Sequence, residues 1–76
     1  MELRHLTSFS AVAEQRSFTR AAATLGLTQA AVSQQVASLE KELNVRLFER
    51  RPKGVQLTEP GERLYGYALQ ILDLVS

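Results

Sequence analysis

A mainly α domain of the winged helix-turn-helix kind is what three features of this sequence predict. They are two short amphipathic segments joined through Gly26, a hairpin with proline and glycine at its turn, and an apolar seam in the last part of the chain. The expected architecture is a three-helix core with a two-stranded wing, followed by a long linker or dimerisation helix. Its 76 residues suffice for one small domain with a thin core, because a chain of this size buries only about 60% of its unfolded surface.

The elements follow in order. Leu3, Leu6, Phe9, Val12 and Ala13 recur at spacings of three and four, the stripe of an amphipathic helix that ends near Gln15-Arg16. Ser17 offers a hydroxyl to cap a second helix from Phe18 to Leu25, whose stripe is Phe18, Ala21, Ala22 and Leu25. The alanines favour helix and are small enough for another helix to approach closely. Gly26 stands where a helix ends best on a residue that tolerates positive φ, and Leu27 is expected to tuck back into the core. Thr28 caps a third helix from Gln29 to about Leu43, with Val32, Val36, Leu39 and Leu43 on its inner arc.

Beyond Asn44 the pattern shortens. Leu47-Phe48-Glu49-Arg50 and Val55-Gln56-Leu57 suit strands, and Arg51-Pro52-Lys53-Gly54 between them suits a type I turn. Thr58 then caps a last helix with Pro60 in its first turn. Leu64, Ala68, Ile71 and Val75 follow at spacings of four, three and four, with Leu69 and Leu72 alongside. That stripe fits two readings, pairing with a second copy or covering the domain's own core, and fewer than two heptads are present to choose between them.

Net charge is only +1, so the distribution of charge is more informative than its sum. Arg46, Arg50, Arg51 and Lys53 fall within nine positions against one acid, Glu49. The chain lacks cysteine, which excludes a disulfide framework and a thiolate zinc site and suits a reducing, cytoplasmic setting. No apolar run is long enough for a signal peptide or a membrane span. His5 is the sole histidine, expected on the surface of the first helix, and neither Gly61 nor Gly66 belongs to a phosphate loop. Glu40-Lys41-Glu42 reads as a solvated turn of helix. These observations leave no catalytic cluster, no metal site and no cofactor site.

Two surfaces remain as candidates. At about 100° per residue, Ala30, Gln34, Ala37 and Ser38 lie opposite the apolar arc of the third helix, with Ser33 on the flank. This face is small and polar and carries no charge before Glu40, whereas ordinary solvated faces are rich in Lys and Glu. Amides can read base edges and small groups can meet a thymine methyl in a major groove. Gln29 lies only about 50° from the core direction and would reach bases if the helix enters by its first turn. The wing is the second candidate, with Arg50, Arg51 and Lys53 placed to neutralise phosphates or enter a narrow minor groove. A solvated helix and a solubilising hairpin are the plain alternatives. A winged-helix module that binds protein instead of DNA is the rival of another class.

The sequence resembles the N-terminal domain of LysR-type transcriptional regulators. The matching stretches are Ser17-Phe18-Thr19-Arg20-Ala21-Ala22, Leu25-Gly26-Leu27-Thr28-Gln29, Ala31-Val32-Ser33-Gln34-Gln35-Val36, Leu39-Glu40-Lys41-Glu42-Leu43, Leu47-Phe48-Glu49-Arg50 and Leu57-Thr58-Glu59-Pro60-Gly61. They cover practically the whole chain in order. The resemblance implies a winged helix-turn-helix DNA-binding domain over residues 1–58 and a linker helix over 59–76 that pairs two subunits through Leu64, Ala68, Ile71, Leu72 and Val75. It also implies a larger effector-binding domain beyond the linker, so that this chain would be the DNA-binding part of a longer regulator responding to a small molecule.

Carried onto this sequence, the family pattern puts Gln29, Ala30, Ser33 and Gln34 on bases. It puts Ser17 and Thr28 on the backbone, to which the reading of the residues themselves adds Ser38, Arg50, Arg51 and Lys53. The partners it implies are a double-stranded operator, an interrupted palindrome, and a second copy of the chain. A tetramer of the full-length protein and RNA polymerase are further candidates, and no membrane is implied. Two departures matter. Ala30 stands where the family often has proline, and Gln34 where many members have arginine. The second removes a guanine contact and makes adenine the candidate partner.

Overall fold

The computed structural model describes residues 1–75; Ser76, the end of the expected linker segment 59–76, lies outside the described residues. The order is α1 (Leu3–Gln15), α2 (Phe18–Leu25), α3 (Gln29–Leu43), β1 (Phe48–Arg51), β2 (Gly54–Leu57) and α4 (Glu59–Val75). Local capping sets most of these limits. Ser17 Oγ accepts from Arg20 N at 3.0 Å and Thr28 Oγ1 accepts from Ala31 N at 3.0 Å, so both helices of the helix-turn-helix start on side-chain caps. Thr58 Oγ1 does the same for α4, accepting from Gly61 N at 3.1 Å. Gly26 ends α2 at φ +68, and Leu27 N donates to Ala22 O at 2.9 Å to close the cap.

The core is one cluster. Leu6, Phe9 and Val12 of α1 meet Phe18 and Ala21 of α2, Val32, Val36 and Leu39 of α3, then Leu47, Phe48, Val55 and Ala68. Phe9 lies at its centre, with its ring 5.4 Å from that of Phe48 and 6.3 Å from that of Tyr65. Ser8 donates to Gln35 Oε1, which adds a polar tie between α1 and α3.

The hairpin pairs Phe48 with Leu57, Glu49 with Gln56, Arg50 with Val55 and Arg51 with Gly54. Its loop is thus only Pro52-Lys53, and both strands run one residue nearer the turn than the sequence pattern suggests. Two contacts seat this hairpin on the helices. Arg16, at φ +54, ends α1 and accepts from Val55 N at 3.2 Å through its carbonyl. Thr58 N donates to Leu47 O at 3.0 Å.

Several expectations need correction. Leu27 does not tuck into the core but is 42% exposed, because its N–H closes the α2 cap and Thr28 opens α3 at once, leaving the side chain outside a three-residue turn. Leu3, the first member of the α1 stripe, is exposed as well, at a helix start with nothing packed over it. His5 is only partly at the surface: its imidazole is largely buried, with Nε2 3.8 Å from Glu2 Oε2. Glu40 is not merely solvated, since its Oε2 accepts from Leu47 N at 2.7 Å and holds the loop that leads to β1.

Ala68 is fully buried by its own chain, so it has no surface to offer a second subunit, while Leu64 and Leu72 are partly buried against the same core. The α4 stripe therefore divides. Gly61, Leu64, Tyr65, Ala68 and Leu72 face inward, whereas Tyr67, Ile71 and Leu74 form an exposed apolar strip with Val75 beside them. Val75 lies on the inner arc yet is exposed, because α4 is about 25 Å long and outruns the body it packs on.

Gly61 brings α4 against the chain before β1: a Cβ there would lie 2.2 Å from Leu47 O, a backbone atom that cannot move aside alone. Gly66, in the same helix, has open space around it. Urea unfolding should show Gly61→Ala destabilised by about 1–3 kcal/mol through overpacking, and Gly66→Ala stabilised by about 0.5–1 kcal/mol through lower backbone entropy. Equal responses at the two sites would contradict this packing of α4.

Candidate nucleic-acid interface

The outer face of α3 is open. Gln29, Ala30, Gln34, Ala37 and Ser38 are exposed, and Ser33 is half-buried on the flank toward the wing. The inner arc of Val32, Val36 and Leu39 is buried, so α3 presents its small uncharged residues outward and its branched ones to the core. A helix of this kind is about 10–12 Å across, the width of the major groove of B-form DNA. Gln34 makes no hydrogen bond among the described residues that would tie up its amide, whereas Gln35, its neighbour, is committed to Ser8.

Two edges frame this face. On one side a cleft runs between α3 and the wing, lined by Phe18, Ser33, Ala37, Glu40, Arg46 and Arg50. A second depression, where α2, α3 and the wing meet, brings Ser17, Thr19 and Gln29 beside Arg50 and Arg51. On the far side, Gln34 and Ser38 border a shallow hollow with Arg4 and His5 from the start of α1. Glu40 is an acid in the wing cleft, but one of its oxygens is already held by Leu47 N.

The wing cations do not act as one cluster at the tip. Strand pairing puts Phe48, Arg50, Val55 and Leu57 on one face, and Glu49, Arg51 and Gln56 on the other. Arg50 accordingly turns toward the helices, with its guanidinium 5.0 Å from the centroid of the Phe18 ring. That cation–π contact holds the charge beside the α3 cleft. Arg51 lies on the outer face, donating from Nε to Gln56 Oε1 at 3.1 Å and from Nη2 to Glu49 Oε1 at 3.2 Å. Lys53 projects from the turn without an ion pair among the described residues. Of the three, Arg50 is aimed, Arg51 is braced by its own strand neighbours, and Lys53 is free to reach.

The hydroxyls of Ser17 and Thr28 are occupied as acceptors in their caps, and each keeps its hydrogen for donation to another group. Sequence reasoning missed three residues at this surface. Thr19 donates from Oγ1 to Gln29 Oε1 at 3.3 Å, Arg46 lines the wing cleft, and Arg4 stands across α3 from the wing. Arg46 belonged to the basic run and could have been drawn from it. The positions of Thr19 and Arg4 come from packing between elements and have no local signal.

Among the described residues no three His, Asp or Glu side chains gather to hold a metal ion, and no helix is long and apolar enough to cross a membrane.

The model of the bacterial regulatory helix-turn-helix protein, lysR family, matches residues 3–62. The HTH-type transcriptional regulator BudR of Raoultella terrigena is 54% identical over 74 residues, which are 97% of this chain and 26% of that protein. The HTH-type transcriptional regulator BenM of Acinetobacter baylyi is 45% identical over 75 residues, 99% of this chain and 25% of that protein. The chain thus spans about a quarter of the length of these two relatives. Among solved structures, a BenM_DBD/catB site 1 DNA complex superposes with a TM-score of 0.95 at 45% identity, covering 99% of this chain and 84% of that one. A CbnR_DBD-DNA complex superposes with a TM-score of 0.94 at 39% identity, covering 99% and 86%.

Gly54 fixes where the wing stands: its φ is +123, and a Cβ there would lie 2.5 Å from Arg16 O, the atom that accepts from Val55 N. Gly54→Ala should cost about 1–3 kcal/mol in backbone strain. It should also speed amide hydrogen exchange at Val55, with little change at the buried amides of α1. Unchanged exchange at Val55 would mean that the wing is seated by other contacts.

Proposed function

This chain belongs to the bacterial regulatory helix-turn-helix proteins of the lysR family, and we propose that it is the DNA-binding domain of a transcriptional regulator that reads an operator as a homodimer. One observation carries the reading: the uncharged outer face of α3 is exposed, with Arg50 held beside it on Phe18 across an open cleft. The relatives support it, since the solved structures this chain superposes on include BenM and CbnR domains in DNA complexes.

In this reading α3 enters the major groove, with Gln29, Ala30, Ser33 and Gln34 against bases. Ser17, Thr28 and Ser38 with Arg50, Arg51 and Lys53 engage the backbone or the flanking minor groove. Cationic contacts supply affinity for any duplex, while the amides and hydroxyls of α3 discriminate among sequences. Residues 1–58 form the DNA-binding unit and 59–76 the linker helix. The exposed strip of Tyr67, Ile71, Leu74 and Val75 is then the surface that meets a second copy, a different set from the one the sequence pattern suggested. Two copies so joined would place two α3 helices in successive major grooves of an interrupted palindrome. Such work belongs in the cytoplasm, and a small-molecule effector would act through a further domain of the full-length regulator.

Equilibrium binding to specific and random duplexes at several salt concentrations separates the two classes of contact. Gln34→Ala should relax preference at one position per half-site, at a cost of about 1–3 kcal/mol for a good base contact. Lys53→Ala should weaken every duplex alike and reduce the salt slope by about one. If both variants bound all duplexes as the unaltered chain does, the assignment would be wrong. Sedimentation equilibrium tests the pairing surface. Leu74→Glu, at a position 85% exposed, should shift the chain toward monomer without lowering its unfolding temperature, whereas Ala68→Glu should unfold it. A Leu74→Glu protein as dimeric as the unaltered chain would rule that surface out.

A further inference from the structure

A duplex with α3 in its major groove and the wing over the adjacent minor groove must pass one sugar-phosphate strand between them, because that strand separates the two grooves. The cleft between α3 and the wing is where such a strand would run. Ser33, Ala37 and Glu40 of α3 line one side of it, and Arg46, Phe48 and Arg50 line the other. Resting on the DNA-binding reading above, we propose that this cleft is a channel for one strand of the duplex. Arg46, which stands just before the wing, then binds a phosphate of that strand together with Arg50.

Arg46, Phe48 and Arg50 are alternate residues and all three line the cleft, the spacing at which strand residues share a face. Phe48 is buried between two exposed arginines. The backbone at Arg46 is held from two sides. Its carbonyl accepts from Thr58 Oγ1, and the next residue, Leu47, gives its N–H to Glu40 and accepts through its carbonyl from Thr58 N. Glu40 is the acid of the cleft, yet Arg46 forms no ion pair with it or with any other acid among the described residues. Arg4, Arg51 and Arg63, by contrast, each lie beside a glutamate. An unpaired guanidinium on an anchored backbone suits a phosphate, whose oxygens can accept from two of its N–H groups at once. Its charge also offsets that of Glu40, which would otherwise repel the strand from this end of the cleft.

Binding to a duplex selected from a random pool and to an unselected one, measured over a fourfold range of salt, tests the assignment. Arg46→Gln removes the charge and keeps a polar side chain. It should reduce the slope of log affinity against log salt by about 0.9, the value for one phosphate. Its affinity deficit should accordingly shrink about threefold across that range and be alike for both duplexes. Arg46→Lys should restore the slope, because the charge returns. Lys41→Gln, at an exposed position of α3 outside the cleft, should leave the slope unchanged. Arg46 is exposed, so its replacement opens no cavity; Arg46→Ala carries the same expectation should Arg46→Gln fold poorly. The proposal is overturned if loss of the Arg46 charge leaves the slope as it was, if Lys41→Gln lowers it equally, or if Arg46→Lys does not restore it. A changed preference at one base position, in place of a uniform loss, overturns it as well. An unaltered chain that binds neither duplex would remove the DNA-binding reading and this inference together; salt-dependent binding that ignores Arg46 would remove only the inference.

Discussion

The ring of Phe48, 5.4 Å from that of Phe9 and 5.7 Å from that of Phe18, joins a hairpin with no core of its own to the three helices behind it. A two-stranded hairpin is marginal in water by itself, so the wing stands where it does because Phe48 and Val55 are buried with the helices. The same aromatic cluster then does a second thing. Phe18, edge-on to Phe48, carries the Arg50 guanidinium on its ring. One packing contact thereby fixes both the distance of the wing from α3 and the direction in which its inward cation points. Close approaches of backbone to backbone complete the seat, through Gly54 against Arg16 and Gly61 against Leu47.

That arrangement separates charge from readout. Arg50 and Arg51 stand on the wing beside the start of α3, and Arg4, paired with Glu2, stands across α3 at the start of α1, while the outer face of α3 stays neutral. A protein with a net charge of +1 can in this way place cations beside α3 without an overall basic character. The division matches how duplexes are bound in general, with phosphate contacts giving register and affinity and groove contacts giving discrimination. Positioning also extends beneath the contact layer. Gln35 holds α3 to α1 through Ser8, and Thr19 hydrogen-bonds Gln29 from the neighbouring helix.

The last helix serves two masters along its length. Near its start Gly61, Leu64, Tyr65 and Ala68 belong to the domain core, and toward its end Tyr67, Ile71, Leu74 and Val75 look outward. Leu74 and Val75 in particular project where α4 has passed the body of the domain.

Local chemistry determined the course of the chain. The limits of α2 and α3 coincide with those expected from Ser17, Gly26 and Thr28, because caps and positive-φ stops act within a few residues and need no tertiary partner. The neutral outer face of α3 was legible for the same reason: helical periodicity alone sends Val32, Val36 and Leu39 one way and Ala30, Gln34 and Ser38 the other. Only the folded arrangement decided which apolar residues find neighbours. Leu27 was expected in the core yet stays exposed, while of the α4 stripe Ile71 stays exposed and Ala68, expected with it at a subunit contact, is consumed by its own domain. It also decided the separate fates of Arg50 and Arg51, adjacent in sequence but on opposite faces of a strand, and the pairings of Glu40 with Leu47 and of Thr19 with Gln29. Each of these depends on elements brought together by the core, and periodicity within a segment holds no information about what will lie across from it.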